Sequence, residues 1–184
     1  MTHRARRPVM TRDNGEAMKR KAAKPTKTIP ARKRPTWDEY FLALTELAAS
    51  RSTCLRRQIG SVITKGNRIV STGYNGSPSG MEHCLVLGCL RDEMNIPSGT
   101  RAEICRGLHA EQNALLYSKG ADLAGGTLYC TNQPCVVCAK LIIQSGIRTV
   151  IYKQDYPDKL AMQFFRESGI ETFKFEDGKR VRVK

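Results

Sequence analysis

The second half of the sequence alternates between strand-like and helix-like segments, and this alternation constrains the fold more than any other feature. Residues 127–130, 149–153 and 171–175 are rich in β-branched and aromatic side chains, and the helical patterns at 135–145 and 160–168 separate them. A glycine follows each helical pattern, as is common at helix ends. Because strand-helix-strand units have right-handed crossovers, we expect three parallel strands here.

A helix and a hairpin precede this region. Residues 36–39 fit a capping box and apolar residues at helical spacing follow, which predicts a helix over about 37–51. Residues 59–63 and 68–72 are β-rich, and the three-residue connection at 65–67, which contains a glycine, predicts a hairpin. With another helix predicted over 109–119, we expect an α/β fold around a mixed five-stranded sheet.

Positive charge is concentrated at the start of the chain. Residues 1–35 contain 12 lysines and arginines and two acidic residues, a net charge of +10, whereas the remaining residues contain 19 against 15, a net charge of +4. We therefore expect a disordered basic tail over 1–35 and a single domain over 36–184. Such a tail either solubilises the protein or makes weak contacts with nucleic acid.

The seven cysteines are more consistent with metal binding than with disulfides. The N-terminal residues lack the apolar segment of a secretory signal, and no apolar run approaches the ~18 residues of a membrane span. We therefore expect a cytoplasmic protein with no membrane contact. In that reducing compartment, clustered cysteines usually bind metal.

Cys135 and Cys138 lie three residues apart at the start of a predicted helix, directly after Pro134. Both sulfurs can project from one helix face, and a helix N-terminus favours the thiolate form that binds metal. Alone, this spacing fits a structural zinc site or a redox pair equally well.

His109 and Glu111 make a catalytic zinc site the better interpretation. His109 opens the other predicted helix and supplies a third ligand, which leaves the fourth tetrahedral position open for water. Glu111 lies two residues further on, where it can act on that water without binding the metal. The pattern H-x-E followed by P-C-x-x-C is typical of zinc deaminases. Glu111 is then the general acid and base that moves protons between water, the ring nitrogen and the departing ammonia.

Around these motifs the chain resembles a particular family, the deoxycytidylate deaminases, together with the similar late-competence deaminases of bacteria. The resemblance covers about residues 34–175 and is carried by the segments RPTWDEYF from Arg34, STCLRRQIG from Ser52, GYNGSP from Gly73, HAEQNA from His109 and PCVVCAK from Pro134. It implies a cytidine-deaminase-like three-layer α/β/α sandwich. It also implies a zinc-dependent hydrolase that converts dCMP to dUMP and ammonia for thymidylate synthesis, in homo-oligomers, usually hexamers, regulated by dCTP and dTTP.

The resemblance also suggests substrate contacts. It implies that Asn75 lies near the sugar and phosphate and that Tyr156 lines the base pocket, although a core aromatic is equally compatible with the sequence. Arg57 is a candidate phosphate anchor, because arginine suits bidentate phosphate contacts, and the alternative is a surface charge. Ala110, inside the zinc motif, is a further candidate contact, and His83 is a candidate ligand of phosphate or of a second metal.

A second, structural zinc site is a separate hypothesis. Residues 73–108 show no sustained periodicity, and a segment of that length needs something to order it. Zinc would do so, and some members of the family carry a second zinc hereabouts. The candidate ligands are Cys54, Cys84, Cys89 and Cys105, with His83 as a substitute. The alternative is that these are ordinary unpaired thiols.

Two other functions remain open on the sequence. A deaminase that acts on nucleic acid or on another cytosine nucleotide is favoured by the basic tail. A catalytically silent, competence-type binding module is disfavoured by the intact Glu111.

Overall fold

The structure, a computed structural model, describes residues 33–183. The predicted basic tail therefore lies almost wholly outside the described residues. None of the helices in the described part of the chain combines the length and the apolar character needed to cross a bilayer.

Helix α1 spans Trp37–Ala49 and begins at the predicted capping box. The Glu39 backbone N–H donates to the Thr36 hydroxyl at 3.2 Å, and the Thr36 backbone N–H donates to the Glu39 carboxylate at 2.7 Å. These bonds satisfy N–H groups that have no partner within the helix.

The other elements include all those predicted. The strands are β1 (Gly60–Lys65), β2 (Arg68–Tyr74), β3 (Thr127–Asn132), β4 (Thr149–Gln154), β5 (Glu171–Glu176) and β6 (Lys179–Arg182), and the helices are α2 (Cys84–Leu87), α3 (Leu90–Glu93), α4 (Ala110–Tyr117), α5 (Val136–Gln144) and α6 (Lys159–Glu167). The strands form one sheet in the order β2-β1-β3-β4-β5-β6. Strands β3, β4 and β5 are parallel and the other neighbours are antiparallel, which confirms the mixed sheet.

The sheet has six strands where five were predicted. The additional strand, β6, pairs antiparallel with β5 across a turn at Asp177 and Gly178, both of which have positive φ. Asp-Gly is a strong hairpin signal, but the strand after it is short and mostly basic, so its pattern did not indicate a strand. The first hairpin also turns more tightly than predicted, because Lys65 already pairs with Arg68.

Helices cover both faces of the sheet. Helix α1 packs on one face, where Phe41, Leu42 and Tyr129 form part of a small core, and α4, α5 and α6 lie against the larger core on the other face. Two glycines allow close helix contact. A Cβ on Gly60 would lie 1.9 Å from the Thr45 carbonyl oxygen of α1, and one on Gly73 would lie 2.2 Å from the Ala110 carbonyl oxygen of α4. The predicted three layers are confirmed.

Strand β6 is fixed to α1 by a bidentate ion pair. Arg180 donates to both Asp38 carboxylate oxygens at 2.6 and 2.7 Å, and the Tyr129 hydroxyl donates to the same carboxylate at 2.9 Å. Burial raises the pKa of Asp38, but these hydrogen bonds and the charge of Arg180 outweigh it and leave the pKa below its usual value. The carboxylate therefore stays ionised and connects the edge strand, the central strand and the helix.

The connection between β2 and α4, residues 75–109, contains only short helices. Helices α2 and α3 have four residues each. Its two ends lie side by side, because Gly76 and Leu108 exchange backbone hydrogen bonds of 3.2 and 2.9 Å. The connection therefore returns to the point where it leaves the sheet, beside the start of α4.

Candidate metal centre and its cleft

Two helix starts bring His109, Cys135 and Cys138 together. His109 is the N-cap of α4, Cys135 is the N-cap of α5, and Cys138 lies in the first turn of α5. The His109 Nδ1 atom lies 3.4 Å from each of the two sulfurs, and the three ligand atoms are all within 4.8 Å of one another. We call these three residues the metal triad.

Local contacts hold each half of the metal triad in place. The His109 backbone N–H donates to the Gln112 side-chain oxygen at 2.7 Å at the start of α4. At the start of α5, the Val136 backbone N–H donates to a carboxylate oxygen of Asp158 at 2.7 Å, and the other oxygen accepts from Ala161 N–H at 3.0 Å. Asp158 therefore caps α5 and α6 together. The sequence contains a signal for its position before α6, but none for its contact with α5.

The electrostatics of the metal triad suit a divalent cation. The pKa of the Cys135 thiol is lowered to about 4, because Cys138 and His109 donate hydrogen bonds to its thiolate against the effect of burial. The pKa of Cys138 is raised, since its proton is held by Cys135 and the site is buried. The pKa of His109 is raised by its hydrogen bond with Cys135. Two sulfurs and one imidazole nitrogen are a donor set typical of zinc.

Glu111 lies beside the metal triad and is almost fully enclosed, with 4% of its surface exposed. Burial raises the pKa of its carboxyl group, and the nearby His109 partly opposes this effect. A carboxyl group whose pKa is shifted toward neutrality is suited to take up a proton and release it again. The arrangement thus combines a metal site with a proton carrier, as the motif predicts.

The metal triad opens into a cleft with about 910 Å³ of empty space, part of it open to solvent. Glu111 and two members of the metal triad, His109 and Cys135, line this cleft together with the predicted Arg57, Asn75, Ala110 and Tyr156. His83 is exposed and is not among the lining residues. The structure therefore places every predicted substrate contact except His83 around one cavity.

Arg57 and Tyr156 form one wall of the cleft. The guanidinium carbon of Arg57 lies 5.4 Å from the centre of the Tyr156 ring, a cation–π distance. Tyr156 is half-buried and its hydroxyl faces the Gly99 backbone, since a Cβ on Gly99 would lie 3.5 Å from that oxygen. Tyr156 therefore lines the cleft and also packs against the edge of the larger core.

Asn75 lines the cleft, but its amide holds the backbone of a neighbouring loop. Its Nδ2 donates to the Arg57 carbonyl oxygen at 2.9 Å, and its Oδ1 accepts from the Ile59 backbone N–H at 2.8 Å. These bonds position the segment that carries Arg57.

Four further cysteines, Cys54, Cys84, Cys89 and Cys105, line the same cleft. We call them the four-cysteine group. Burial raises the pKa of Cys84, and the nearby Cys105, Cys54 and Cys89 raise it further, so the four sulfurs are electrostatic neighbours. Their sulfur atoms are less closely grouped than the ligand atoms of the metal triad. Among residues 33–183, the metal triad is the only group of three or more His, Cys, Asp or Glu side chains whose ligand atoms all lie within 4.8 Å of one another.

Several lining residues were not predicted from the sequence. They are Arg56, Ile59, Gly76, Arg91, Ser98, Gly99, Gly107, Leu108, Asn132 and Gln133. Six of them lie in the connection between β2 and α4, where the sequence shows no periodic pattern that would indicate which side chains face the cleft.

Comparison with known proteins agrees with this site. The family model of the cytidine and deoxycytidylate deaminase zinc-binding region matches residues 35–154. The deoxycytidylate deaminase of Mycobacterium phage D29 is 44% identical over 127 residues, which are 66% of this chain and 98% of that protein. The deoxycytidylate deaminase of Saccharomyces cerevisiae is 40% identical over 82% of this chain, and the chain spans about half (48%) of the yeast protein.

A solved structure shows the same fold. The dCMP deaminase of cyanophage S-TIM5, in complex with dCMP and dUMP, superimposes with a TM-score of 0.65 at 29% sequence identity. The match covers 78% of this chain and 100% of the phage protein.

Proposed function

The chain belongs to the deoxycytidylate deaminases within the cytidine and deoxycytidylate deaminase family, and we propose that it hydrolyses dCMP to dUMP and ammonia. The observation that carries this proposal is the position of Glu111 beside the metal triad, in a cleft that arginines also line. The product would serve thymidylate synthesis, and the reaction would take place in the cytoplasm.

The residues of the site have separate tasks in this reaction. His109, Cys135 and Cys138 hold zinc, which when bound lets water act as a nucleophile near neutral pH. Glu111 takes a proton from the water as its oxygen attacks C4 of cytosine, and passes that proton to the ring nitrogen. Glu111 then takes the proton of the new C4 hydroxyl and gives it to the amino group, so that the C4–N bond breaks, the C4 carbonyl forms and ammonia departs.

The cleft residues orient the nucleotide. Arg57 carries a guanidinium group suited to a phosphate, and Tyr156 beneath it offers an aromatic face to the base or sugar. Asn75 acts mainly by holding the backbone of Arg57, and Ala110 lies directly beside Glu111 in the wall. The exposure of His83 does not support a contact with substrate in this conformation.

The four-cysteine group is proposed to bind a second zinc with a structural role. Its support is that all four side chains line one cavity and influence the same thiol electrostatically. Zinc binding would have to draw the four sulfurs together into a closed tetrahedral site. Metal binding of this kind orders segments with little apolar surface to bury.

A homo-oligomer is proposed on the apolar exposure of two helices, and a hexamer is the form that the family resemblance implies. Leu116 and Tyr117 of α4 are 66% and 61% exposed, and Val137 and Leu141 of α5 are each 43% exposed. Exposed apolar patches commonly mark contacts between proteins. Regulation by dCTP and dTTP, and nucleic-acid contact by the basic tail, remain expectations from the sequence.

The test is ammonia release by zinc-loaded protein from dCMP, CMP, dCTP, deoxycytidine and cytosine-containing single strands. We expect dCMP to be the best substrate and Glu111→Gln to lower its turnover by roughly 100- to 10,000-fold, because the proton carrier is lost. The matched control is Glu103→Gln, which removes an exposed carboxylate of the connection between β2 and α4. Activity on oligonucleotides alone would instead support a nucleic-acid deaminase, and no deamination at all would support a binding module.

A further inference from the structure

The cleft contains two arginines that form no ion pair with a carboxylate in the described part of the chain. Three arginines line the cavity, and one of them, Arg56, is paired with Asp92 at 2.8 Å and also donates to the Ile96 carbonyl oxygen. Neither Arg57 nor Arg91 forms an ion pair with a carboxylate among residues 33–183. The cleft that contains the metal triad therefore also contains two guanidinium groups that no carboxylate pairs with.

Arg91 is held in a fixed orientation. Its Nη2 donates to the carbonyl oxygens of Pro97 and Thr100 at 2.8 and 2.5 Å. These bonds fold residues 97–100 over the cleft, where Ser98 and Gly99 form part of the wall. Because two carbonyl groups fix one end of the guanidinium, its remaining N–H groups are already oriented before a ligand arrives.

One of those N–H groups is buried and has no partner. The Arg91 Nε atom is inaccessible to solvent and makes no hydrogen bond to any described residue. A buried donor without a partner normally costs about 1–3 kcal/mol, so such groups usually meet a ligand or a water molecule. Because the Nε itself is closed to solvent and Nη2 is already bonded, an anion in the cavity would meet this guanidinium through Nη1.

Arg57 and Arg91 lie around the same tyrosine. The Arg57 guanidinium covers the Tyr156 ring, while the loop held by Arg91 brings Gly99 against the Tyr156 hydroxyl. Burial raises the pKa of Tyr156, and the charges of Arg57 and Arg91 both oppose that rise. The two guanidinium groups therefore act on the same part of the cleft.

We propose that Arg91 binds the 5′-phosphate of the nucleotide together with Arg57 and so makes the site select nucleotides over nucleosides. This inference rests on the proposed deamination of a cytosine nucleotide and assigns a specific task to the connection between β2 and α4. A phosphate between two guanidinium groups receives charge-assisted hydrogen bonds from both. A nucleoside leaves both arginines without an anion.

The experiment measures binding of dUMP and of deoxyuridine to the zinc-loaded full chain by calorimetry. We expect Arg91→Ala to weaken dUMP binding about 10- to 100-fold and to change deoxyuridine binding less than about threefold. Arg91→Lys, which keeps a positive charge, should restore part of the preference for dUMP. Arg101→Ala is the control, since Arg101 lies in the same connection and, among residues 33–183, its ion pair is with the exposed Glu103.

The outcomes separate this inference from the proposed reaction. Equal weakening of both ligands by Arg91→Ala would mean that Arg91 only supports the loop, and would overturn the inference. If wild-type protein binds dUMP no better than deoxyuridine, the inference also fails. If it prefers dUMP through Arg91 and yet releases no ammonia from dCMP, the reaction is wrong while phosphate recognition stands.

Discussion

The metal triad and the four-cysteine group are both made of metal-binding side chains around one cleft, but they are held by different parts of the fold. The metal triad lies on the first residues of α4 and α5, which pack on the sheet. Members of the four-cysteine group lie on α2, beside α3 and in loops. Only the metal triad has its ligand atoms within 4.8 Å among the described residues.

This difference shows which parts of the fold can hold metal ligands in place before the metal binds. Helices α4 and α5 are fixed by the sheet beneath them and by side-chain caps at their first turns, so their ligands converge as part of the folded core. The connection between β2 and α4 buries little apolar surface of its own. Its thiols reach the same cavity, but metal binding would have to complete their geometry.

The strongest test of the comparison is to remove one thiol from each group. We expect Cys138→Ser to abolish the catalytic zinc and to lower turnover of dCMP by at least about 1,000-fold, since one of the three residues that hold the metal is lost. We expect Cys84→Ser to remove a different equivalent of zinc and to lower the melting temperature, while the catalytic zinc stays. Atomic absorption on purified variants gives the stoichiometry. A wild-type content of one zinc per chain would eliminate the second site.

A smaller effect is expected from adding one methyl group beneath α4. In Gly73→Ala the new Cβ would lie 2.2 Å from the Ala110 carbonyl oxygen and 2.4 Å from the Ala114 nitrogen, so α4 must shift. We expect a loss of about 2–3 kcal/mol in the free energy of unfolding and weaker zinc binding, because His109 moves with the helix. Denaturant unfolding and competition with a chelator measure the two effects.

The matched change in the connection between β2 and α4 is Gly88→Ala. Gly88 has a φ of +81°, so alanine is strained there by about 1–2 kcal/mol, but the nearest contact of the new Cβ is the flexible end of Glu93. We expect the catalytic zinc to be retained. Equal loss of zinc from Gly73→Ala and Gly88→Ala would show that zinc binding by the metal triad does not depend on the packing of α4.

The smallest effect concerns the caps. Asp158→Ala should lower the free energy of unfolding by about 1–2 kcal/mol and weaken zinc binding several-fold, because the Val136 N–H at the start of α5 loses its acceptor. Thr36→Ala removes the cap of α1, far from zinc, at a cost of about 1 kcal/mol. If both variants kept the same zinc affinity, capping would not position the ligands.

Much of the fold could be predicted because its signals are local. The strands and helices from α4 onward have regular apolar spacing and a glycine after each helix, so their order, direction and approximate ends followed from the sequence. The metal triad could be predicted for the same reason, since each half is a short motif at the start of a helix.

The rest depends on contacts between distant residues. The guanidinium of Arg91 is held by the carbonyl groups of Pro97 and Thr100, and Asp158 contacts α5 from 22 positions further along the chain.

For Asn75, the family resemblance implied a position near the sugar and phosphate. In the structure its amide also holds the backbone of the loop that carries Arg57, which the motif alone does not indicate. Strand β6 is stabilised by the ion pair between Arg180 and Asp38, and no local sequence pattern predicts that these two residues meet.

The shared cap at Asp158 also has an electrical consequence. Aligned peptide dipoles place roughly half an elementary positive charge at the start of a helix, and α5 and α6 bring two such ends to one place. A single carboxylate approximately neutralises both, so two like partial charges that would repel each other are drawn to one anion. At Tyr156 in the cleft, Asp158 accordingly has a smaller effect on the pKa than either Arg57 or Arg91, so it offsets only part of the field of the two arginines.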